Sequence, residues 1–258
     1  MDLPVIISYS NSGYYDLAKN MLISLDKTIK YHKIHFYCLD NEIYEKLIAL
    51  EFSCIKVTFE LLTNTNNNLS KNFENYGSQN YNLITHTKMS ILKDALVKYN
   101  FIHFIDCDVV CIKEPLMEHY EKYKNYDIVF QYDCGMNTAT DLHSTTLHSN
   151  WACTGNTSLR NTPETHILLD KIIEYQNKYT NKNDQECLQN IFTDNSIDDI
   201  STFSLTKLYT YEINEYTNGY WLNHNIGTLD KTYFFHANHV NGLNEKIRLL
   251  EKANHYFV

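Results

Sequence analysis

Short apolar runs alternate with segments of helical periodicity along the first half of the chain. Five runs rich in β-branched and aromatic residues are typical of buried strands; they are Pro4–Tyr9, Ile34–Leu39, Ile55–Phe59, Phe101–Val110 and Asp127–Tyr132. Between them, apolar residues recur every three to four positions, which predicts helices at Asp16–Leu25, Glu42–Leu50 and Leu83–Tyr99. This alternation indicates an α/β protein whose central sheet is mixed, mostly parallel and flanked by helices.

The second half of the chain is less regular than the first. We expect helices at Thr165–Tyr175 and Gln185–Phe192, and strands at Lys207–Tyr211 and Tyr233–Phe235. No linker rich in proline, glycine or serine and no internal repeat interrupts either half. We therefore predict one domain over residues 1–258.

Composition removes several classes of protein. Only 7 of the 258 residues are glycine and 3 are proline, far fewer than collagen-like or low-complexity chains contain. The formal charge of −9 argues against a nucleic-acid partner, because binding to phosphates favours a basic surplus. No stretch approaches the ~18 apolar residues of a membrane span, and Met1–Ser10 lacks the basic start of a signal peptide. We therefore expect a cytoplasmic protein with no membrane span, located in the host cytoplasm or the virion if its source is viral.

The cysteines favour a reducing compartment. Their number is odd, and no two are spaced as a CxxC pair. Most lie in apolar or strand-like stretches, which favours buried free thiols over a disulfide framework; they are Cys38, Cys54, Cys107, Cys111, Cys134, Cys153 and Cys187. A catalytic thiol is the less favoured alternative. The chain also lacks HExxH, GxGxxG, P-loop and GxSxG motifs, which argues against the enzyme classes that depend on them.

Two acidic residues follow an apolar strand directly in the segment FIHFIDCDVVCIKEPL, Phe101–Leu116. If the chain stays extended, Asp106 and Asp108 point to the same face, because side chains alternate along a strand. Two acids at the end of a buried strand require a compensating cation, and Mg²⁺ or Mn²⁺ bound to a substrate phosphate supplies one. Ligands of open α/β sheets also bind at strand ends. The alternative is a solvated turn that carries two acids.

Seven segments, taken in order, carry a resemblance to a known family. They read IISYSNSGYYDLAKNMLISL, LITHTKMSIL, HFIDCDVVCIKEPL, CTGNTSLRNTPETHILL, NDQECLQNIF, YTNGYW and FFHANHVNGLNEKIRLL. They resemble the nucleotide-diphospho-sugar transferases of GT-A fold, most of all the group that includes the plant rhamnogalacturonan xylosyltransferases. The similarity to the glycogenins and bacterial galactosyltransferases is more distant. The resemblance implies a Rossmann-like GT-A domain that transfers a sugar from a nucleotide-diphosphate donor, UDP-linked, to an acceptor hydroxyl with retention of configuration.

The resemblance also assigns metal and nucleotide residues. It places Asp106 and Asp108 on Mn²⁺ or Mg²⁺, with Asp106 also on the nucleotide, and it completes the metal shell with a late histidine. The HAN triplet favours His236 for that position, whereas the spacing to Gly242 makes His239 the second choice. The resemblance places further residues on the nucleotide; they are Ser8, Tyr9, Ser10, Lys88, Gly242 and Lys246. For Lys246, an exposed surface position is an equal alternative.

On the sugar side, the resemblance indicates Asp184 and Gln185, because a carboxylate or amide oxygen assists an oxocarbenium-like anomeric centre. The residues alone leave Asp184 open between this role and a helix N-cap, since an apolar-periodic run follows it. Gly155 and Arg160 match a further motif of the family. Cys153 stands where that motif has asparagine, which leaves its acceptor-side role open.

Aromatic residues and glycines give weaker signals. Trp151 and Trp221 offer faces for stacking on a sugar, with core packing as the favoured alternative. In a glycine-poor chain, four glycines fall inside the matched segments, where the backbone turns sharply or approaches a ligand, so we expect positive φ there; they are Gly13, Gly155, Gly219 and Gly242.

Two rival functions remain open on the sequence. A sugar-1-phosphate nucleotidyltransferase also uses strand-end acids, but it needs a basic, glycine-rich phosphate loop that SYSNSGYY does not provide. A non-catalytic module that retained the fold is the other rival. Within a transferase, we expect residues 1–132 to bind nucleotide and metal, and residues 133–258 to form the acceptor side. The acceptor is left open among a glycan, a protein and a small molecule, and no pattern indicates an oligomeric state.

Overall fold

A mixed β-sheet organises the protein. The computed structural model describes residues 2–52, 55–59, 69–133, 152–193, 206–226 and 228–258. Within these ranges, seven strands form one sheet in the order β3-β2-β1-β4-β7-β6-β8, and two more form a separate ribbon, β5-β9. The strands are β1 Val5–Ser10, β2 Ile34–Cys38, β3 Ile55–Phe59, β4 Phe101–Ile105, β5 Val109–Cys111, β6 Ile128–Tyr132, β7 Ala152–Arg160, β8 Leu208–Thr210 and β9 Phe234–His236.

The strand directions confirm the predicted fold class. Strands β3, β2, β1 and β4 are parallel neighbours, and β6 pairs in parallel with β8. Strand β7 runs antiparallel between β4 and β6. The sheet is therefore mostly parallel, and β7 and β8 of the second half complete a sheet begun in the first half.

Helices cover both faces of the sheet. They are α1 Tyr15–Thr28, α2 Asn41–Ile48, α3 Gln79–Lys98, α4 Met117–Glu121, α5 Pro163–Lys178, α6 Asp184–Thr193, α7 Gly219–Asn223 and α8 Leu243–Lys252. Local sequence starts several of them, because the side chains of Asp40, Ser78 and Thr162 each accept a hydrogen bond from a backbone N–H in the first helical turn. Pro163 follows one of these caps, at a position where a proline costs no hydrogen bond.

The alternation of side chains along each strand divides the core in two. Ile7 of β1 packs with residues of α3, α5 and α6 on one face. Its neighbour Ile6 packs with residues of α1 and α2 on the other. Both residues are fully buried, as expected for a central parallel strand covered on both sides.

The fourth predicted strand, Phe101–Val110, is wrong as one continuous strand, because a turn divides it into two. Strand β4 ends at Ile105, and the Val109 N–H donates to the Asp106 carbonyl at 3.0 Å to close a turn. Strand β5 then leaves the sheet and pairs with β9. The two aspartates therefore lie in a turn, and their proximity comes from that turn and not from an extended backbone.

Strand β7 was missed because its residues are polar. Its sequence, ACTGNTSLR, contains the threonines, asparagine and serine of a typical loop, yet its first eight residues are buried in the sheet. Helices α4, α7 and α8 were missed as well. Most of the segment before β7, including Cys134 and Trp151, lies outside the described residues, as does Cys54. No helix among the described residues has the length and apolar character of a membrane span.

Candidate active site

Two adjoining cavities lie where β1 and β4 end. The larger has a volume of about 500 Å³, within the range of small-molecule sites. The smaller, of about 80 Å³, is lined by Tyr9 and Ser10. Asp106, Asp108 and Lys246 line both cavities. Charged residues thus form the shared wall.

A turn and a two-stranded ribbon bring together three side chains of the types that can hold a metal ion. Strand pairing sets His236 opposite Val109, and the Ala237 N–H donates to the Asp108 carbonyl at 3.0 Å. His236 Nε2 then lies 3.2 Å from Asp108 Oδ1. One ligand atom from each of Asp106, Asp108 and His236 lies within 4.8 Å of the other two. Two carboxylates and an imidazole are a suitable donor set for a divalent cation.

Gly155 gives this group its room. The Asp106 N–H donates to the Gly155 carbonyl at 2.7 Å, which holds β7 against the turn. A Cβ on residue 155 would lie 2.5 Å from Asp106 Oδ2 and 2.5 Å from His236 Cε1. The pairing of β6 with β7 shifts register between Phe130 and Gln131, so β7 bulges at this point. The space between the side chains therefore depends on a residue without one.

Lys88 of α3 joins two acids of the larger cavity. Its Nζ lies 2.8 Å from Asp184 Oδ2 and 3.1 Å from Asp106 Oδ1. Thr154 Oγ1 also donates to Asp184 Oδ2, at 2.8 Å. Burial alone would lower the pKa of Lys88, but the carboxylates of Asp106 and Asp184 raise it above its ordinary value. The ammonium group therefore stays charged, and Asp184 is engaged by an ion pair.

Lys246 is the cation beside Asp108. Helix α8 begins after Gly242, whose φ of 90° confirms the positive value expected there. The first turn of α8 sets Lys246 Nζ 2.5 Å from Asp108 Oδ2 and 3.2 Å from the Ala237 carbonyl. Burial raises the pKa of Asp108, but Lys246 and His236 outweigh it and hold that pKa below its ordinary value. Lys246 thus lies inside the site and not on open surface.

His239 contacts a different acid from the one that His236 contacts. Its Nε2 lies 2.6 Å from the Asp133 carbonyl oxygen and 3.5 Å from Asp133 Oδ1. The same carboxylate accepts a hydrogen bond from Gln185 Nε2 at 2.9 Å. His236, and not His239, therefore faces the two aspartates of the turn.

The neighbours of Asp184 show which residue is the N-cap of helix α6. The Glu186 N–H donates to Asn183 Oδ1 at 2.8 Å, and the Asn183 N–H donates to Glu186 Oε2 at 2.8 Å. This reciprocal pair is a capping box, so Asn183 caps α6. Asp184 is left to face Lys88 across the cavity wall.

A sequence profile described as nucleotide-diphospho-sugar transferase matches residues 30–250, most of the chain. The chain belongs to the nucleotide-diphospho-sugar transferase family. No curated protein sequence matches the chain.

Solved structures of glycosyltransferases share the fold of this family member. The glycosyltransferase GlyE of Streptococcus pneumoniae TIGR4 is 14% identical with a TM-score of 0.56, over 98% of this chain and 60% of that one. Mouse xyloside xylosyltransferase 1 is 13% identical with a TM-score of 0.53, over 93% of this chain and 98% of that one. The galactosyltransferase LgtC, in complex with donor and acceptor sugar analogs, is 11% identical with a TM-score of 0.54, over 100% and 97%. The chain thus spans three-fifths of the length of GlyE and nearly all of the other two.

Of the three residues of β1 expected at the nucleotide, two line a cavity and one does not. Tyr9 and Ser10 line the smaller cavity, and the Tyr9 hydroxyl donates to the Ile84 carbonyl at 3.0 Å. The Ser8 hydroxyl is buried, has no hydrogen-bond partner among the described residues, and lines neither cavity. Asn11 and Tyr14 line the smaller cavity as well, although neither was singled out from the sequence.

Several residues of the matched segments are structural in this family member. The Arg160 guanidinium lies 4.1 Å from the centre of the Phe101 ring, away from the cavity. Trp221 is 5% exposed and packs in a small core cluster, as the favoured alternative predicted. Asn218 caps α7 by accepting from the Trp221 N–H at 3.1 Å. Gly219 approaches Asn238, where a Cβ would meet the carbonyl oxygen at 2.0 Å.

The glycine expectation is corrected in part, whereas the five cysteines among the described residues are free and four of them are buried, as expected. Gly13, Gly155 and Gly219 do not have positive φ. Glycine is required at these positions for another reason, since neighbouring atoms come too close for a Cβ. Cys153 lies in the wall of the larger cavity. Burial raises the pKa of the Cys107 and Cys153 thiols, so neither is a thiolate at neutral pH.

Three further polar residues of the site were not singled out from the sequence. Asp133 is the first residue after β6, and Thr154 lies in β7; both line the larger cavity. Gln131 is fully buried beside His236. The signal for Asp133 was available, because an acid directly after a predicted strand is the pattern that identified Asp106. Thr154 and Gln131 carry no such signal, since a polar residue within a strand is usually expected to face solvent.

Proposed function

We propose that the protein is a metal-dependent glycosyltransferase that takes its sugar from a UDP-sugar and retains the anomeric configuration. The observation that carries the proposal is the grouping of Asp106, Asp108 and His236 on the wall of a cavity of about 500 Å³, with Lys246 beside them. This wall lies at the ends of parallel strands, where α/β proteins bind nucleotides.

The nucleoside extends into the smaller cavity, beside Tyr9 and Ser10, and the diphosphate lies along the wall that the two cavities share. When held by Asp106, Asp108 and His236, Mn²⁺ or Mg²⁺ supplies Lewis-acid stabilisation of the departing diphosphate. Lys246 adds a positive charge at the same place, and it exchanges Asp108 for phosphate oxygens when the donor binds.

The sugar lies toward Gln185 and Asp133. Lys88 holds Asp184 in an ion pair, so we assign to Gln185 the amide oxygen that faces the anomeric centre as it gains positive charge. The Thr154 N–H donates to Gln185 Oε1 at 3.4 Å and Asp133 accepts from its Nε2, which orients the amide. Retention rests on the family resemblance and is read from the anomeric proton of the product by NMR.

The acceptor hydroxyl reaches the sugar through the mouth of the larger cavity, where Tyr76 is 59% exposed. We keep the expectation that residues 133–258 supply most of the acceptor side and that the chain acts as one domain. A reducing, cytoplasmic setting is supported by five free cysteines among the described residues.

The proposal is tested by a donor screen. Purified protein is incubated with Mn²⁺ and single nucleotide sugars, with water or added glycosides as acceptor, and the released nucleotide is identified by chromatography. The proposal expects nucleoside diphosphate from a UDP-sugar, abolished by EDTA. Pyrophosphate formed from a nucleoside triphosphate and a sugar phosphate would instead support a nucleotidyltransferase. The absence of turnover together with absence of metal-dependent UDP binding would support a non-catalytic module.

A further inference from the structure

Gln131 lies directly behind the imidazole of His236. We propose that Gln131 is a positioning residue that fixes which nitrogen of His236 is presented to the metal. The inference rests on the proposed function, because it concerns the metal group assigned there.

The orientation of the Gln131 amide is determined by its partners. Its Nε2 lies 3.1 Å from the Tyr216 carbonyl oxygen and 3.3 Å from the Thr217 carbonyl oxygen. Carbonyl oxygens only accept hydrogen bonds, so the NH₂ group must face them. The amide oxygen therefore faces the opposite way, toward His236.

That amide oxygen determines the hydrogen on the imidazole. Gln131 Oε1 lies 2.9 Å from His236 Nδ1. The oxygen only accepts, so Nδ1 must carry a hydrogen, and the tautomer with hydrogen on Nε2 alone is excluded. In the neutral ring the free lone pair is then on Nε2, the atom 3.2 Å from Asp108 Oδ1. The atom with the lone pair is thus the one that faces the metal group.

One backbone carbonyl accepts hydrogen bonds from both Gln131 and His236. The His236 N–H donates to the Thr217 carbonyl at 3.0 Å, and that carbonyl also accepts from Gln131. The ring and the amide are therefore positioned by the same peptide group. Gln131 itself follows the register shift between β6 and β7, a type of irregularity that re-aims side chains near active sites.

Two substitutions separate positioning from simple packing. Gln131→Met keeps the length of the side chain but removes both the acceptor for Nδ1 and the donor for the carbonyls. Gln131→Glu keeps an acceptor oxygen toward Nδ1, as in the carboxylate–histidine–metal arrangement. Gln176→Met is the matched control, because Gln176 of α5 is also buried, at 4% exposure, and does not line the cavities.

Mn²⁺ binding is measured by electron paramagnetic resonance of the free ion, with and without UDP, on the intact chain. Thermal unfolding is recorded for every variant. We expect Gln131→Met to weaken Mn²⁺ binding about 10- to 100-fold, as loss of an outer hydrogen bond to a metal ligand does. Gln131→Glu and Gln176→Met keep Mn²⁺ affinity within about threefold of the unmodified protein, well below that range.

Three outcomes would overturn the inference. Wild-type affinity in Gln131→Met, when His236→Gln loses binding, contradicts positioning by Gln131 and leaves the metal site intact. Equal loss in the Met and Glu variants, in step with a lower unfolding temperature, indicates a purely structural role. Absence of Mn²⁺ binding by the unmodified protein, with or without UDP, removes the metal assignment and the inference together.

Discussion

At the scale of single residues, the site depends on the absence of a Cβ at Gly155. Gly155 lies between Asp106 and His236, and a Cβ at this position would come within 2.5 Å of both side chains. Gly155→Ala must therefore push two metal-binding groups apart. We expect Mn²⁺-dependent UDP affinity to fall at least about tenfold and the free energy of unfolding to fall by about 1–3 kcal/mol, the usual cost of overpacking.

Gly77→Ala is the contrasting control for this prediction. Its added Cβ meets nothing within 4 Å, but its φ of 84° is unfavourable for alanine. It should lower the free energy of unfolding by about 1–2 kcal/mol and leave UDP affinity unchanged. Calorimetric titration and denaturant unfolding measure both quantities. Unchanged UDP affinity in Gly155→Ala would contradict the proposed metal group.

Residue identity alone predicted the acids of the site but not the roles of their neighbours. Asp106 and Asp108 follow a recognisable strand, so the sequence pointed to them directly. Asn183 and Asp184 are both acceptable N-caps, and only the three-dimensional contacts of Lys88 decide which residue is left over. Distances between residues far apart in sequence are not contained in local patterns.

At the scale of elements, two of the three lysines of helix α3 differ in what they contribute to stability. Lys88 is 2% exposed and pairs with Asp184, which is also buried, whereas Lys93 forms an exposed ion pair with Asp170. Lys88→Met leaves the buried Asp184 carboxylate without its cationic partner and should cost about 3–5 kcal/mol of unfolding free energy. Lys93→Met should cost no more than about 1 kcal/mol. Urea unfolding compares the two, and equal effects would refute the buried pairing.

Elements with strong periodicity were predicted, and those without it were not. Strands β1, β2, β3 and β6 and helices α1 and α3 have apolar residues at regular spacing, and the structure confirms them within a few residues. Strand β7 is polar although it is buried, because side chains such as Thr154 and Asn156 hydrogen-bond inside the protein. Strand β5 was merged with β4, since the turn at Asp106 is made by backbone hydrogen bonds that no residue type announces.

At the scale of the whole molecule, His103 couples folding to pH. Its Nδ1 accepts from the Tyr120 hydroxyl at 2.8 Å, and its Nε2 donates to Asn156 Oδ1 at 2.7 Å. Both nitrogens are thus satisfied by a neutral ring in the core. Burial lowers the pKa of His103 to about 3, below the ordinary value of 6.5.

The sign of the pH effect follows from that lowered pKa. The unfolded chain takes up a proton near pH 6.5, and the folded chain only near pH 3, so stability is present above pH 6.5 and is lost as pH falls. Relative to His103→Gln, the unmodified protein should lose about 1.4 kcal/mol of its advantage per pH unit below 6.5. Urea unfolding from pH 7 to 4.5 measures this difference. A difference independent of pH would refute a neutral buried His103.

The complete site could not be assembled from the sequence, because its parts come from across the chain. Asp106 and His236 are 130 positions apart, and the ribbon β5-β9 that joins them was not predicted. The resemblance to a family supplied the third ligand, and the structure supplied the reason why His236 and not His239 faces the aspartates. Neither the residue pattern nor the resemblance pointed to Gln131, because it contacts the site only through His236.

The most direct test of the central claim is calorimetric titration of UDP into the protein with and without Mn²⁺, for the unmodified chain and for Asp108→Asn. UDP should bind the unmodified protein in a manner that depends on Mn²⁺, and Asp108→Asn should lose this binding while circular dichroism shows an unchanged fold. Equal UDP affinity without the metal, or full Mn²⁺-dependent affinity in Asp108→Asn, would contradict the claim.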